Sequence, residues 1–186
     1  MTRAQIIAMQ DRIGTAPDGF WGPRSIAACQ RHLRSLMPKD ANWPSQSQAA
    51  LQGFYGSPGD ELKLVRFDLP RGTLYEGKVV RHTRAHERCF ESLSRVLDAI
   101  ASSPQRDILK EFAGVYNNRP MRGGSLPSLH ARGAAIDLDP DTNRLSQSWP
   151  VSATMPLEVM EHFAAEGWVG LGWLIGRDSM HFQATK

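Results

Sequence analysis

The segment SLHARGAAIDLD constrains the fold more than any other part of this sequence. It places His130 and Asp137 seven residues apart, with Gly133 and several small residues between them. The second half, GAAIDLD, alternates in a way that predicts a strand, with the aspartate on the face opposite its apolar neighbours. If Gly133 permits a tight turn of the backbone, His130 in a loop and Asp137 in a strand can converge on one metal ion.

A third ligand and a base are available near the C-terminus. Zinc hydrolases use about three protein ligands from His, Asp or Glu, an open position for water and a nearby carboxylate. The segment RDSMHFQ supplies His181 in a predicted strand, with Asp178 three residues before it. Spacing alone leaves a second interpretation open. In it, His130 is a loop residue whose ring is hydrogen-bonded within the protein, and Asp137 caps a turn at the end of the strand.

Composition limits the class of protein. The 186 residues are 41% hydrophobic and 22% charged, which is typical of a globular chain that can bury a core. No apolar run approaches the ~18 residues of a membrane span, and the N-terminal MTRAQIIAMQDRIG is too interrupted for a secretory signal. We therefore expect no stable membrane insertion. The net charge of +3 is spread along the chain without a Lys/Arg run, so we expect no nucleic-acid partner either.

Periodicity predicts two units. Residues 1–56 contain two or three short helices, and GSPGDE is the best candidate for a linker. Residues 57–186 mix helices and strands without regular alternation, which indicates an α+β fold. Helices are predicted in ERCFESLSRVLDAIASSP and in TMPLEVMEHFAAEGW, with Thr154 as the N-cap of the second. The predicted strands are LKLVRFDL, GKVVRH, GVYN, GAAIDLD, WLIG and SMHFQ.

One histidine pair offers an alternative metal site. His82 and His86 lie four apart, so on a helix they would share a face. The zinc-protease signature needs glutamate directly after the first histidine, and Thr83 stands there. We expect this pair to lie at a solvated helix start.

The residues between the predicted ligands resemble a known family. SLHARGAAID fits the pattern Ser-x-His-x-x-Gly-x-Ala-x-Asp, and GLGWLIGRDSMHFQ is similar to a Trp…Asp-x-x-His-Phe ending. Over roughly residues 75–186 the chain resembles zinc peptidases of the D-alanyl-D-alanine carboxypeptidase and L-alanyl-D-glutamate endopeptidase family, especially phage and prophage endolysins. The resemblance implies a small antiparallel sheet with flanking helices, of the hedgehog and D-Ala-D-Ala peptidase type.

The resemblance also implies roles for individual residues. It makes His130, Asp137 and His181 ligands of Zn²⁺, and Asp178 the general base. An aspartate at the base position is usual in the endopeptidases, whereas the carboxypeptidases usually have glutamate. The resemblance further implies that Ser128 contacts substrate, although a simple turn serine is an equal alternative.

An arginine before the motif is expected to bind substrate or polarise the scissile carbonyl. The candidates are Arg119 and Arg122 in NNRPMRGG. The usual Gly-Tyr-Arg stretch is replaced by GVYNNRP, so the choice between them stays open.

The N-terminal unit resembles a peptidoglycan-binding helical module. The similarity lies in the turn PDGFWGP between two helices. Phe20 and Trp21 are candidates for stacking on sugar or peptide, because aromatic side chains offer large contact area. The alternative is that both rings fill the core of a small module.

The resemblance as a whole implies a peptidoglycan-degrading zinc peptidase, most favourably cleaving the L-Ala–D-Glu bond. A D-Ala-D-Ala carboxypeptidase and a non-catalytic murein-binding protein are the alternatives. We expect a monomer whose partner is bacterial peptidoglycan. It would be made in the host cytoplasm and would act in the periplasm or cell wall after release, for example through a holin.

Overall fold

The computed structural model describes all residues from 1 to 186 and has an α+β architecture, as predicted. The helices are α1 (Arg3–Arg12), α2 (Pro23–Leu36), α3 (Gln48–Tyr55), α4 (Phe90–Ala101), α5 (Leu157–Ala165) and α6 (Leu171–Ile175). The strands are β1 (Leu64–Asp68), β2 (Leu74–Tyr75), β3 (Lys78–Val79), β4 (His82–His86), β5 (Phe112–Gly114), β6 (Ala135–Leu138), β7 (Val169–Gly170) and β8 (His181–Gln183). None of the helices has both the length and the apolar character needed to cross a bilayer.

The central feature is an antiparallel sheet with strand order β5-β6-β8-β7. All four residues of β6 are buried, as expected for an inner strand. Its neighbour β8 runs in a register that sets Ile136 opposite Phe182. The Phe182 ring stacks on Phe163 of α5 with centroids 3.8 Å apart, so this face of the sheet packs into the core. The other face is left for the polar residues of the same two strands.

Gly133 makes the connection into β6 possible. It follows a 3₁₀ turn (Leu129–Arg132) and has φ +65°, in the left-handed region that favours glycine. A Cβ here would also lie 2.9 Å from the backbone nitrogen of His86. Both the conformation and the close approach require glycine, and together they bring the turn next to the strand.

The three N-terminal helices pack against the remainder of the chain. A single cluster of buried apolar side chains runs through both parts. Glu161 of α5 is 9% exposed and bonds to Arg12 of α1 and His32 of α2. The Tyr55 hydroxyl at the end of α3 donates to the Ala184 carbonyl. The boundary between 56 and 57 stays a prediction, and the helices on its N-terminal side share one core with the sheet.

The pair His82 and His86 contradicts the prediction of a solvated helix start. Both lie on β4, which pairs with β1, and a strand places residues four apart on one face without forming a helical metal pair. His86 is 2% exposed, and its Nε2 bonds to the carbonyl of Tyr55. The pair therefore belongs to the antiparallel strands β1 and β4, which contact α3 through His86.

Three smaller predictions also differ from the structure. The strand predicted in GVYN lies two residues earlier, from Phe112 to Gly114. Phe112 is buried and is the residue that pairs with Leu138 of β6. WLIG forms helix α6, since a short apolar run does not by itself distinguish a helix from a strand. Thr154 is not an N-cap: α5 begins at Leu157 behind Pro156, and the threonine hydroxyl bonds to Thr142 instead.

Candidate metal centre

Two imidazoles and one carboxylate converge on the open face of the sheet, and we call His130, Asp137 and His181 the His–Asp–His cluster. Asp137 and His181 are cross-strand partners in β6 and β8, so their side chains share one face. The Nδ1 atom of His181 lies 3.0 Å from Oδ1 of Asp137 and 3.2 Å from Nε2 of His130. The third edge, from His130 Nε2 to Asp137 Oδ1, measures 3.3 Å.

Neighbouring groups fix which nitrogen of each histidine faces the cluster. His130 Nδ1 lies 2.7 Å from the Val115 carbonyl oxygen, and it can donate there only when it carries the proton. His181 Nε2 lies 3.1 Å from the amide oxygen of Gln183 in the same way. In the neutral rings the lone pairs of His130 Nε2 and His181 Nδ1 therefore face each other and the carboxylate. Such outer partners are typical of metal-binding histidines.

Charge within the cluster favours an ionised carboxylate. Burial raises the pKa of Asp137, but its contacts with the two histidines lower it much more, so its pKa lies far below the ordinary range. Burial lowers the pKa of His181, and the adjacent carboxylate more than offsets this, so its pKa is raised. The negative charge of Asp137 therefore favours the protonated form of His181.

The donor set fits zinc. Ligands about 2.0–2.1 Å from a tetrahedral ion lie roughly 3.3 Å from one another, close to the three edges of the cluster. Two imidazoles and one carboxylate are ligands that zinc accepts, and three protein ligands leave one position open. His130, Asp137 and His181 would hold the ion.

Asp178 lies beside the cluster, and both its backbone conformation and the surroundings of its carboxyl group are unusual. Its backbone has φ +57°, which is uncommon for a residue other than glycine and is often found at functional sites. Its Oδ1 atom is buried without a hydrogen-bond partner. Burial raises the pKa of its carboxyl, and this outweighs the nearby charge of His181. An aspartate with these properties is suited to accept a proton.

The cluster lies where two clefts meet. One, which we call the basic cleft, has a volume of about 770 Å³ and is lined by β1, β4 and residues 112–119, with five arginines. The other, the second cleft, has a volume of about 520 Å³ and is lined by α3, the loop 119–130 and Asp178. His130 and Asp137 line both, so the cluster borders the two clefts at once.

Arg119 and Arg122 also line both clefts. Arg122 is exposed on a loop, and its charge lowers the pKa of Asp178. The Arg119 guanidinium donates to the Pro120 carbonyl at 3.1 Å. Ser128 is buried at 5% exposure and accepts a hydrogen bond from the His130 backbone, so it caps the turn that carries this ligand. It also borders the second cleft, and its contact with substrate stays a prediction.

The two N-terminal aromatic residues differ from each other. Phe20 is 73% exposed and is not a core residue. Trp21 is partly buried and meets Trp149 edge to face, with centroids 5.2 Å apart. The tryptophan therefore joins the N-terminal unit to the rest of the protein. Binding of sugar or peptide by either ring stays a prediction.

Several residues that shape the site were missed from the sequence. Gln183 lies two residues after His181 on a predicted strand, so period-two alternation could have placed it on the same face. Val115 acts only through its carbonyl, which gives no sequence signal. Gln48 and Leu51 of α3 line the second cleft although they belong to the N-terminal unit. No local pattern connects them to residues about 80 positions later.

The donor set and the neighbouring carboxylate fit a metal-dependent hydrolase, and one comparison with known families agrees with this class. Residues 122–184 match the family described as D-alanyl-D-alanine carboxypeptidase, and this segment contains the whole His–Asp–His cluster and Asp178. The segment is therefore similar to a family of zinc-dependent peptidases, and peptidoglycan is a substrate consistent with that family. No curated protein and no solved structure matches the chain at a significant level.

Proposed function

We propose that the protein is a zinc endopeptidase that cuts within peptidoglycan stem peptides, most favourably between L-Ala and D-Glu. The observation that carries this proposal is the position of the cluster at the junction of two open clefts. An endopeptidase must accommodate substrate on both sides of the bond that it cuts. A carboxypeptidase needs room for only one residue beyond that bond.

The residues of the chain would divide the reaction between them. When bound by the cluster, zinc supplies a Lewis acid that acidifies water and polarises the scissile carbonyl. Asp178 takes the proton of the attacking water and returns it to the leaving amine, a role typically worth about 10²–10⁴-fold in rate. Its raised pKa and its unpartnered oxygen support this assignment.

Arg122 is the better candidate for stabilising the negative charge that develops on the carbonyl oxygen. It is close enough to Asp178 to affect the pKa of that carboxyl, and its guanidinium has no hydrogen-bond partner within the protein. Arg119 is already engaged with the Pro120 carbonyl. Because Arg119 lines both clefts, we assign it to the positioning of the substrate.

A D-Ala-D-Ala carboxypeptidase is the second candidate, because the matched family carries that description. It would use the same residues and differ only in the bond that is cut. The presence of aspartate rather than glutamate at position 178 favours the endopeptidase.

We further propose that the enzyme acts as an endolysin. It would be synthesised in the host cytoplasm as a monomer and would reach the periplasm or cell wall after release by a partner such as a holin. Degradation of the wall would then cause bacteriolysis. Lysis of permeabilised Gram-negative cells, but not of intact cells, is the expected result when the protein is added from outside.

Mass spectrometry of the soluble fragments from purified Gram-negative sacculi tests the proposed activity. Treatment with zinc-loaded protein should release stem peptides that begin at D-Glu, and the Asp178→Ala variant should release none. Loss of a terminal D-Ala alone would identify the carboxypeptidase. If no product forms although the protein sediments with sacculi, it is a murein-binding protein instead.

A further inference from the structure

The wall of the basic cleft opposite the cluster is formed by the antiparallel pair β1 and β4. Arg66 of β1 lies directly opposite Arg84 of β4, and both line the cleft. Like charges directly opposite on one face of a sheet destabilise it. Arg81, just before β4, adds a third positive charge to the same wall.

The acidic residues near this wall neutralise only part of its charge. Glu61 binds Arg84 at 2.6 Å and also accepts from the Tyr116 hydroxyl. Asp68 pairs with His82. No carboxylate lies within ion-pair distance of the other arginines of the cleft, which are Arg66, Arg81, Arg119 and Arg122.

Arg66 and Arg81 differ from the arginines near the catalytic residues. Both are exposed, and neither guanidinium makes a hydrogen bond within the protein. They lie on β1 and just before β4, ahead of the segment 122–184 that matches the family, so that match assigns them no role. They remain available for a ligand that enters the cleft.

We infer that Arg66 and Arg81 bind a free carboxylate of the stem peptide and so determine which peptides are cut. This inference rests on the proposed function. A guanidinium can bind a carboxylate through two parallel hydrogen bonds. The two arginines line the same cleft as His130 and Asp137, so a peptide whose scissile bond lies at the cluster can place a carboxylate against them. Stem peptides carry such groups on D-Glu and, in Gram-negative walls, on diaminopimelate.

The test compares two synthetic stem peptides that differ only in these carboxylates. In one they are free, and in the other they are converted to carboxamides. Wild-type protein should cleave the acid with kcat/KM about tenfold higher, mainly through KM, because charge-assisted hydrogen bonds are lost with the amide. Arg66→Gln and Arg81→Gln should each reduce this preference, and the double variant should abolish it with kcat unchanged.

Arg24→Gln is the matched control. Arg24 is an exposed arginine of α2 outside both clefts, and the substitution removes the same charge. The control should keep the preference for the acid. If it reduces the preference as much as the double variant does, the effect is long-range attraction and the inference is wrong. Thermal melts of all variants check that they are folded.

A binding measurement keeps the inference separate from the proposed activity. Calorimetry with the same two peptides on zinc-free protein should show tighter binding of the acid, dependent on Arg66 and Arg81. If neither peptide is cleaved but this difference persists, the proposed function fails and the carboxylate site stands. Equal binding of acid and amide would overturn the inference. It would also be overturned if inorganic phosphate bound through the two arginines and the acid did not.

Discussion

The two clefts that meet at the His–Asp–His cluster differ in chemistry and in origin. Three of the five arginines of the basic cleft lie on or just before the paired strands β1 and β4, and this cleft contains neither Asp178 nor His181. The second cleft contains both of these residues and is closed by amide and apolar side chains of α3. On the proposed function, Arg66 and Arg81 would recognise charge on one side of the cluster, and Asp178 would transfer the proton on the other. Substitutions in the two clefts should separate KM from kcat.

Loss of a shared ligand should have the largest effect, since it removes the centre that both clefts serve. His181→Ala leaves two ligands of the cluster, so we expect loss of stoichiometric zinc and of all measurable turnover. Elemental analysis after dialysis, with hydrolysis of a stem peptide, measures both. The exposed His82→Ala variant is the control and should keep zinc. Full activity of His181→Ala would exclude the cluster as the catalytic centre.

Substitution of Asp178, the proposed base, should slow the reaction without loss of the metal. Asp178→Asn keeps the shape of the side chain but removes its basicity, so we expect kcat to fall by about 10²–10⁴-fold with zinc retained. KM for the acidic stem peptide should change little, because the basic cleft is intact. Steady-state kinetics and zinc content test this. A variant with near-normal kcat would show that another group accepts the proton.

Helix α3, which forms part of the wall of the second cleft, should contribute to the stability of the whole protein. Leu51 of α3 is 2% exposed and also borders this cleft. Leu51→Ala removes buried apolar volume, and we expect the free energy of unfolding to decrease by about 2–5 kcal/mol. Urea denaturation monitored by tryptophan fluorescence measures the change. Leu62→Ala, at a side chain that is 95% exposed, should have almost no effect. Equal stability of the two variants would contradict the shared core.

Zinc binding by the His–Asp–His cluster should weaken at acidic pH. Zinc binds the neutral imidazole, and the pKa of His181 is raised above the ordinary value of about 6.5. Zinc affinity should therefore already decline as the pH falls through this raised pKa, before an unperturbed histidine would take up its proton. Asp137 stays ionised throughout, because its pKa is strongly lowered. Competition with a chromophoric chelator between pH 5 and 8 tests the prediction, which a constant affinity would contradict.

The parts of the site that could be predicted from the sequence are those that depend on short-range patterns. The alternation in β6 and the glycine before it placed His130 and Asp137 near each other, and the spacing before β8 placed Asp178 near His181. Each of these relations spans fewer than ten residues of the sequence.

The clefts could not be predicted in the same way, because they depend on contacts between distant segments. Arg66 and Arg84 become neighbours only through the pairing of β1 with β4. Gln48 reaches the second cleft because α3 packs beside the turn that follows Pro127, to whose carbonyl its amide is directed. Prediction of two separate units from the sequence gives no information on contacts between those units.

The most direct test of the central claim is cleavage of a stem pentapeptide whose C-terminus is blocked as an amide. If substrate extends through both clefts, the blocked and free peptides should be cut between L-Ala and D-Glu at similar rates, with loss of both reactions in Asp178→Asn. Cleavage of the free peptide alone, with release of its terminal D-Ala, would contradict this account and identify a carboxypeptidase.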